Sequence, residues 1–255
     1  MDNTLFSYRL ISRNLDRSLT LKAAEKPVAL EAKYYLENIG KIRSIDDFLK
    51  NTRVFNFAMK AYGLEEMAFA KGYMRKVLTE GIDDPKSFAN KLNDQRFVKF
   101  TAAFNFARNG AMTTATKDVR QPVVDLYVRQ SLESDEGASN EGVRLALYFQ
   151  RMAPTVKSAY GLLADTALWQ VVKTTFDFPD AMANAPIDKQ AQAVKAQLKV
   201  EDLKDPKKMD ALLRRFAVKW DIAQGTEASP ILALFNNANV SINTSLSILN
   251  LRYGG

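Results

Sequence analysis

Apolar residues recur at spacings of three and four nearly throughout the chain, the period of helices packed on one face. Pro27 suits a first helical turn and is followed by Ala32, Tyr35, Ile39 and Ile42. Ser44-Ile-Asp-Asp47 is a capping-box-like start with Asp where Glu is usual. Phe48, Leu49, Phe55, Ala58 and Tyr62 continue an apolar face, with Asn51-Thr52 as a candidate break between two helices. Gly63 suits a left-handed helix end. Ala70, Tyr73 and Val77 form the next stripe, which stops at Gly81. Asp84-Pro85 predicts a cap and first-turn proline leading into Phe88 and Leu92, and a last stripe runs Phe97, Phe100, Phe104. Nowhere here do β-branched residues alternate over a strand length, so the predicted fold class is all-α.

The second half resembles the first. At an offset of 114, Tyr34, Ser44, Leu49 and Thr52 meet Tyr148, Ser158, Leu163 and Thr166. Apolar positions follow: Tyr35 with Phe149, Ile42 with Val156, Phe48 with Leu162, Phe55 with Trp169, Tyr62 with Phe176. Asp84-Pro85-Lys86 meets Asp205-Pro206-Lys207 at an offset of 121, which places extra residues in the second copy within Pro179–Asp188. Matched apolar phase of this kind predicts a tandem repeat of two similar helical bundles, with Phe55 and Trp169 both buried. The resulting division is an N-terminal arm or helix (1–26), helical repeat 1 (27–108), a connector with one helix (109–141), helical repeat 2 (142–222) and a C-terminal tail (223–255). In the connector, Pro122 starts a helix through Val123, Tyr127 and Leu132, and Ser134–Gly142 reads as a loop by composition. From Ser229 to Gly255 the only charge is Arg252, and the tail fits either packing on the domain or awaiting a partner.

Composition narrows the chemistry. The 255 residues include 36 Lys and Arg against 29 Asp and Glu, a net charge of +7, with no Cys and no His. Disulfides, thiolate nucleophiles, imidazole bases and His or Cys metal ligation are therefore excluded. No phosphate-cradling glycine motif and no calcium loop occurs. The carboxylate pairs Asp46-Asp47, Glu65-Glu66, Asp83-Asp84 and Glu201-Asp202 each fall at a predicted helix start, where capping and the helix dipole account for them. No catalytic, cofactor-binding or metal-ligating residue is assigned, and an enzyme is not expected. The positive charge is dilute: the most basic stretch, Lys204–Lys219, interleaves with Met209, Leu212, Leu213 and Phe216 as an amphipathic core helix would. Specific nucleic-acid binding is not expected, and Phe97, Phe100, Phe104 and Phe106 read as core rather than a stacking platform. No apolar run reaches the roughly 20 residues of a membrane span. The start of the chain, interrupted by Arg9, Arg13 and Arg17, does not read as a cleavable signal peptide.

Two sets of motifs point further. One comprises Tyr34-Tyr-Leu-Glu-Asn-Ile-Gly-Lys-Ile, Ser44-Ile-Asp-Asp-Phe-Leu, Ala61-Tyr-Gly-Leu, Arg75-Lys-Val-Leu-Thr-Glu-Gly and Asp84-Pro-Lys-Ser-Phe-Ala-Asn-Lys-Leu. The other comprises Asn140-Glu-Gly-Val-Arg-Leu-Ala-Leu-Tyr-Phe-Gln-Arg and Ala159-Tyr-Gly-Leu-Leu-Ala-Asp. In order and spacing, over about Phe6 to Trp220, the chain resembles an alphaproteobacterial family of unassigned function whose members commonly sit in flagellar gene clusters. The resemblance implies a helical, non-enzymatic, flagellum-associated protein in structure, export or assembly, cytoplasmic or exported with the flagellum. Its partners would be flagellar components, or a second copy through the tail. The alternative is a cytoplasmic helical adaptor or regulator unrelated to flagellar assembly.

Overall fold

A computed structural model describes residues 3–92 and 94–225. The chain opens with α1 (Thr4–Arg13) and α2 (Leu15–Ala24). The first half follows as α3 (Lys26–Ile39), α4 (Ile45–Lys50), α5 (Thr52–Ala61), α6 (Lys71–Glu80), α7 (Phe88–Lys91), α8 (Gln95–Ala103) and α9 (Phe106–Asn109). A long helix, α10 (Gln121–Ser139), leads to the second half: α11 (Glu141–Met152), α12 (Ala159–Ala164), α13 (Thr166–Thr175), α14 (Ile187–Gln197) and α15 (Pro206–Ala223). Short 3-10 turns fill several connections, and no strand occurs among the described residues. The fold is all-α.

Side-chain caps set many of the boundaries. The Asp47 N–H donates to Ser44 Oγ at 3.0 Å and the Val54 N–H to Asn51 Oδ1 at 3.2 Å, so Asn51 both ends α4 and starts α5. Pro27 lies in the first turn of α3, as its fixed φ and missing N–H favour. Asp84-Pro85 behaves differently from the expectation. Asp84 Oδ1 accepts the Lys86 N–H at 2.7 Å and Asn90 Nδ2 donates to the Asp84 carbonyl at 2.9 Å. These bonds close a turn, and α7 begins only at Phe88. Asp205 makes the same local bond, to the Lys207 N–H at 2.8 Å, and there the helix does start at Pro206.

The loop expected at Ser134–Gly142 is a helix as far as Ser139. Its polar composition reflects exposure, since Ser134, Asp135, Ala138 and Ser139 face solvent on the last turns of α10. Gly137 does not break the helix. A Cβ there would lie 2.6 Å from Arg144 Cδ, so the glycine lets α11 approach α10 closely. Asn140 alone joins the two helices, its Oδ1 accepting the Gly142 N–H at 2.9 Å as the cap of α11.

Two apolar cores result. One gathers Tyr35, Phe48, Phe55, Phe100 and Phe104, with Phe48 stacked on Phe104 at 4.8 Å between ring centroids. The other gathers Phe149, Leu162, Val172, Leu213 and Phe216, and it includes Tyr8 of α1. The segment expected as an N-terminal arm or helix forms α1 and α2; Tyr8 of α1 contributes to the second core, and α2 packs on α10. The helix expected within a connector runs between the cores, with α2, α3 and α5 on one side and α11 on the other. Along α15, Met209, Leu212, Leu213 and Phe216 are buried while Lys207, Lys208, Arg214 and Arg215 are exposed.

The halves share local geometry. The bounds of α4 and α5 recur, displaced by 114 positions, in α12 and α13. After α5 the chain turns through Gly63 (φ +69°) with the Leu64 N–H on the Met59 carbonyl at 2.8 Å. After α13 it turns through Asp177 (φ +54°) with the Phe178 N–H on the Lys173 carbonyl at 3.0 Å. Each is a Schellman-type end, and Asp is among the few non-glycine residues that adopt this conformation readily. Elsewhere they diverge: α7, α8 and α9 follow α6, whereas the single long α15 follows α14.

Trp169 departs from the expectation of a fully buried core residue. Phe55 is fully buried, but Trp169 is only half-buried, lying against the second core and stacked on Phe178 at 5.8 Å. The reason is the local chain course: Phe178 follows the left-handed turn and forms one side of the indole's site. Phe55→Ala should cost about 3–5 kcal/mol in urea unfolding and Trp169→Ala distinctly less, because a half-exposed ring leaves a smaller cavity. Equal losses would contradict this difference in burial.

Candidate functional site between the two cores

The turn at Gly63 sets the site's first element. It leaves the Gly63 carbonyl toward Arg96 of α8, whose Nη1 donates to it at 2.6 Å and to Glu66 Oε1 at 2.8 Å. Asp94, which caps α8 through the Arg96 N–H, accepts Arg96 Nε at 3.1 Å and Nη2 at 2.9 Å. The guanidinium is thus engaged along every edge. Its Nε also lies 3.9 Å from Asp165 Oδ2, which belongs to the other half. Asp165 Oδ1 caps α13 through the N–H groups of Ala167 (2.9 Å) and Leu168 (3.1 Å), and Oδ2 accepts from the Tyr148 hydroxyl at 2.6 Å.

A second buried polar group adjoins the first. Glu133 of α10 is fully buried, and its Oε1 accepts Arg129 Nε at 2.7 Å and Arg151 Nε at 2.9 Å. Its Oε2 accepts Arg151 Nη2 at 2.6 Å, and that nitrogen also donates to Gln130 Oε1 at 2.9 Å. The Arg151 guanidinium lies 5.1 Å from the centre of the Tyr148 ring. Arg129, Glu133, Arg151, Tyr148, Asp165, Arg96 and Asp94 therefore form one line of polar contacts from α10 across the second half to α8.

Burial and charge act on these groups together. Burial, and next the charge of Asp165, hold the Tyr148 phenol well above its ordinary value, with Arg96 opposing. Burial alone would lower Arg96, but its bonds to Asp94 and the nearby charges outweigh that and fix it as a cation. Burial likewise opposes the charge of Arg151, and Glu133 more than restores it.

Beside this line opens a cleft of about 720 Å³. Its lining includes Gly63, Glu65, Glu66 and Arg96 of the first half, Gln130 and Ser134 of α10, and Glu141, Arg144, Tyr148, Asp165, Gln170 and Trp220 of the second half. Glu65, Glu66 and Glu141 are exposed at its rim. Arg144 pairs with Glu141, its Nε at 2.7 Å from Oε2. Lining carboxylates outnumber lining cations, and both cations are already paired.

The carboxylate pairs singled out in the sequence lie apart. Asp46 pairs with Arg75 at 2.7 Å, Glu66 with Arg96, Asp83 with Arg108, and Asp202 with Lys208 at 2.6 Å. Three of the pairs start helical turns, and Asp83-Asp84 lies in the turn before α7. Phe97, Phe100, Phe104 and Phe106 are all buried. No group of three or more carboxylates converges as a metal site among the described residues, and none of their helices is long and apolar enough to cross a membrane. Sequence reasoning missed the polar line. Its one legible signal is the four-residue spacing of Arg129 and Glu133 within an otherwise apolar helix face.

Tyr148→Phe should cost about 1–3 kcal/mol near neutral pH, because Asp165 Oδ2 loses a buried donor. The same variant should alter the alkaline limb of stability. Unfolded tyrosines ionise at their ordinary value of 10.0, whereas burial pushes Tyr8 and Tyr62 up to about 12 and Tyr148 further still. The folded state then holds protons that the unfolded state has lost. The contribution is complete below pH 10.0 and is lost as pH rises from there through the folded values. Urea unfolding from about pH 8 to about pH 11.5 should show this loss, shallower in Tyr148→Phe than in wild type. Identical slopes would contradict the assignment.

Comparison with known proteins places these observations. The family described as protein of unknown function (DUF1217) matches residues 61–209, a span that contains the whole polar line. The crystal structure of protein AGR_C_984 from Agrobacterium tumefaciens is 47% identical to this chain, with a TM-score of 0.80. That similarity covers 86% of this chain and 94% of the Agrobacterium chain. A comparison with curated proteins finds no match. With more than half of its length matched, the chain belongs to the DUF1217 family of proteins of unknown function.

Proposed function

We propose that the chain is a non-enzymatic component of the flagellar apparatus that acts in its structure, export or assembly through protein–protein contacts. The flagellar assignment rests on the motif resemblance, and the mode of action on the surface. The observation that carries the binding role is an outward apolar face on two adjoining helices. Phe6 and Leu10 stand one turn apart on α1, 68% and 57% exposed. Val218 and Ile222 stand one turn apart on α15, which packs against α1. Thr4 fixes that pairing, its backbone N–H donating to Asp221 Oδ2 at 3.1 Å and its hydroxyl to Oδ1 at 2.5 Å. Large apolar side chains held outward on paired, anchored helices favour a protein partner.

Self-association through the tail belongs to this reading. Ser229–Gly255 lies outside the described residues and follows α15 in the chain, so its partner surface is a separate part of the proposal. The tandem-repeat origin also stands as a proposal, supported by the shared helix bounds and Schellman ends. A cytoplasmic adaptor unrelated to flagella is the second reading. The two separate cores support it, since each organises its own group of helices.

Deleting the gene should abolish or impair swimming and filament assembly, and the wild-type gene should restore them. The Phe6→Asp/Ile222→Asp double variant should stay helical by circular dichroism yet fail to restore motility. Its affinity for a co-purifying flagellar partner should fall by more than about tenfold, as loss of apolar anchors does. A fully motile deletion strain would sink the flagellar reading and leave the adaptor.

A further inference from the structure

The exposed side chains Phe6 and Leu10 of α1 and Val218 and Ile222 of α15 adjoin the point from which residues 226–255 leave. Thr4 ties the start of α1 to Asp221 in the last turn of α15, which brings the four to that end of the molecule. There the Gln224 N–H donates to the Trp220 carbonyl at 3.0 Å and the Gly225 N–H to the Ile222 carbonyl at 3.2 Å. Gly225 has φ +62°, the left-handed conformation that ends a helix and turns the chain off its axis.

The sequence beyond that turn suits the face. Between Glu227 and Arg252 it carries no charge, so nothing there resists burial as an ion does. Ile231, Leu232, Leu234 and Phe235 follow Ser229-Pro230, a pair that favours an extended approach. Residues 226–230 span up to about 17 Å when extended. Val218 lies about 10 Å back from Gly225 along the helix. The apolar segment 231–235 therefore reaches the face with length to spare. We infer that residues 231–235 of the chain's own tail dock across Phe6, Leu10, Val218 and Ile222 in the free protein. One contact then removes large apolar side chains on both sides from water. The short link holds the segment at an effective concentration of about the millimolar range, which favours the tail of the same molecule over that of a second copy. The inference rests on the reading that this face binds a protein partner, since tail and partner compete for it. A partner that displaces the tail also frees it, so binding at the face and self-association through the tail are linked.

The chain has no cysteine, so an introduced pair reports on itself alone. The test is the full chain carrying Leu10→Cys and Leu234→Cys, oxidised at low protein concentration and resolved on a non-reducing gel. Cross-linked monomer should form at least about tenfold faster than in a Met112→Cys/Leu234→Cys control, where position 112 is also exposed but belongs to the first half. Should Leu10→Cys disturb α1, Val218→Cys takes its place. A second measurement is maleimide labelling of the single Leu10→Cys chain. Adding Leu234→Asp/Phe235→Asp should speed that labelling at least about tenfold, because the covering apolar side chains no longer hold to the face. Equal cross-linking of the two pairs, or unchanged labelling, overturns the docking. A disulfide-linked dimer as the main product puts the tail on a second copy and overturns it as well. All of these are read without a partner, whereas the flagellar reading stands or falls on the motility of the deletion strain, so the two fail separately.

Discussion

A carboxylate with no access to water lies between two arginines at the centre of this molecule. An isolated charge buried there would be expensive by several kcal/mol. Arg129 one turn earlier on α10 and Arg151 on α11 make it tolerable, and in doing so they fix how those two helices cross. The close approach at Gly137 and the single-residue link at Asn140 follow from the same crossing. Because α10 also packs on α2, α3 and α5, the crossing sets the placement of one core against the other.

From that junction the polar line reaches outward. Arg151 stands over Tyr148, Tyr148 holds Asp165, and Asp165 faces Arg96 of the first half. Each member is satisfied mainly by another member, so the line behaves as a structural seam between two apolar cores. The cleft opens along this seam, and of its exposed rim carboxylates Glu66 is held by Arg96 and Glu141 by Arg144.

The helices were legible in the sequence because their signals are local. Pro27, Ser44, Asn51 and Gly63 each act within a few residues of themselves, and each does in the structure what its chemistry suggests. Asp84-Pro85 misled because the turn it forms is stabilised by Asn90, a contact that the dipeptide does not reveal. Ser134–Ser139 misled for a different reason: a solvent-facing helix end and a loop share a composition, and only the packing of α11 decides between them. Trp169 lies against the second core but is only half-buried, since burial depends on what lies across from a residue. The polar line was nearly invisible. Asp94, Arg96, Glu133, Tyr148, Arg151 and Asp165 are scattered over seventy-odd positions, and each alone looks like a surface charge or a cap.

If the Glu133 junction governs the arrangement, its removal should cost more than any surface charge. The direct measurement is urea unfolding of Glu133→Gln, followed in parallel by far-ultraviolet circular dichroism and by tryptophan fluorescence. Both tryptophans, Trp169 and Trp220, lie in the second half, so fluorescence reports that half while circular dichroism reports all the helices. The account predicts a loss of about 3–5 kcal/mol, as for a buried pair stripped of one partner. It also predicts that the two probes separate as the halves uncouple. A loss below about 1 kcal/mol, the range of an exposed ion pair, with coincident transitions, would contradict it.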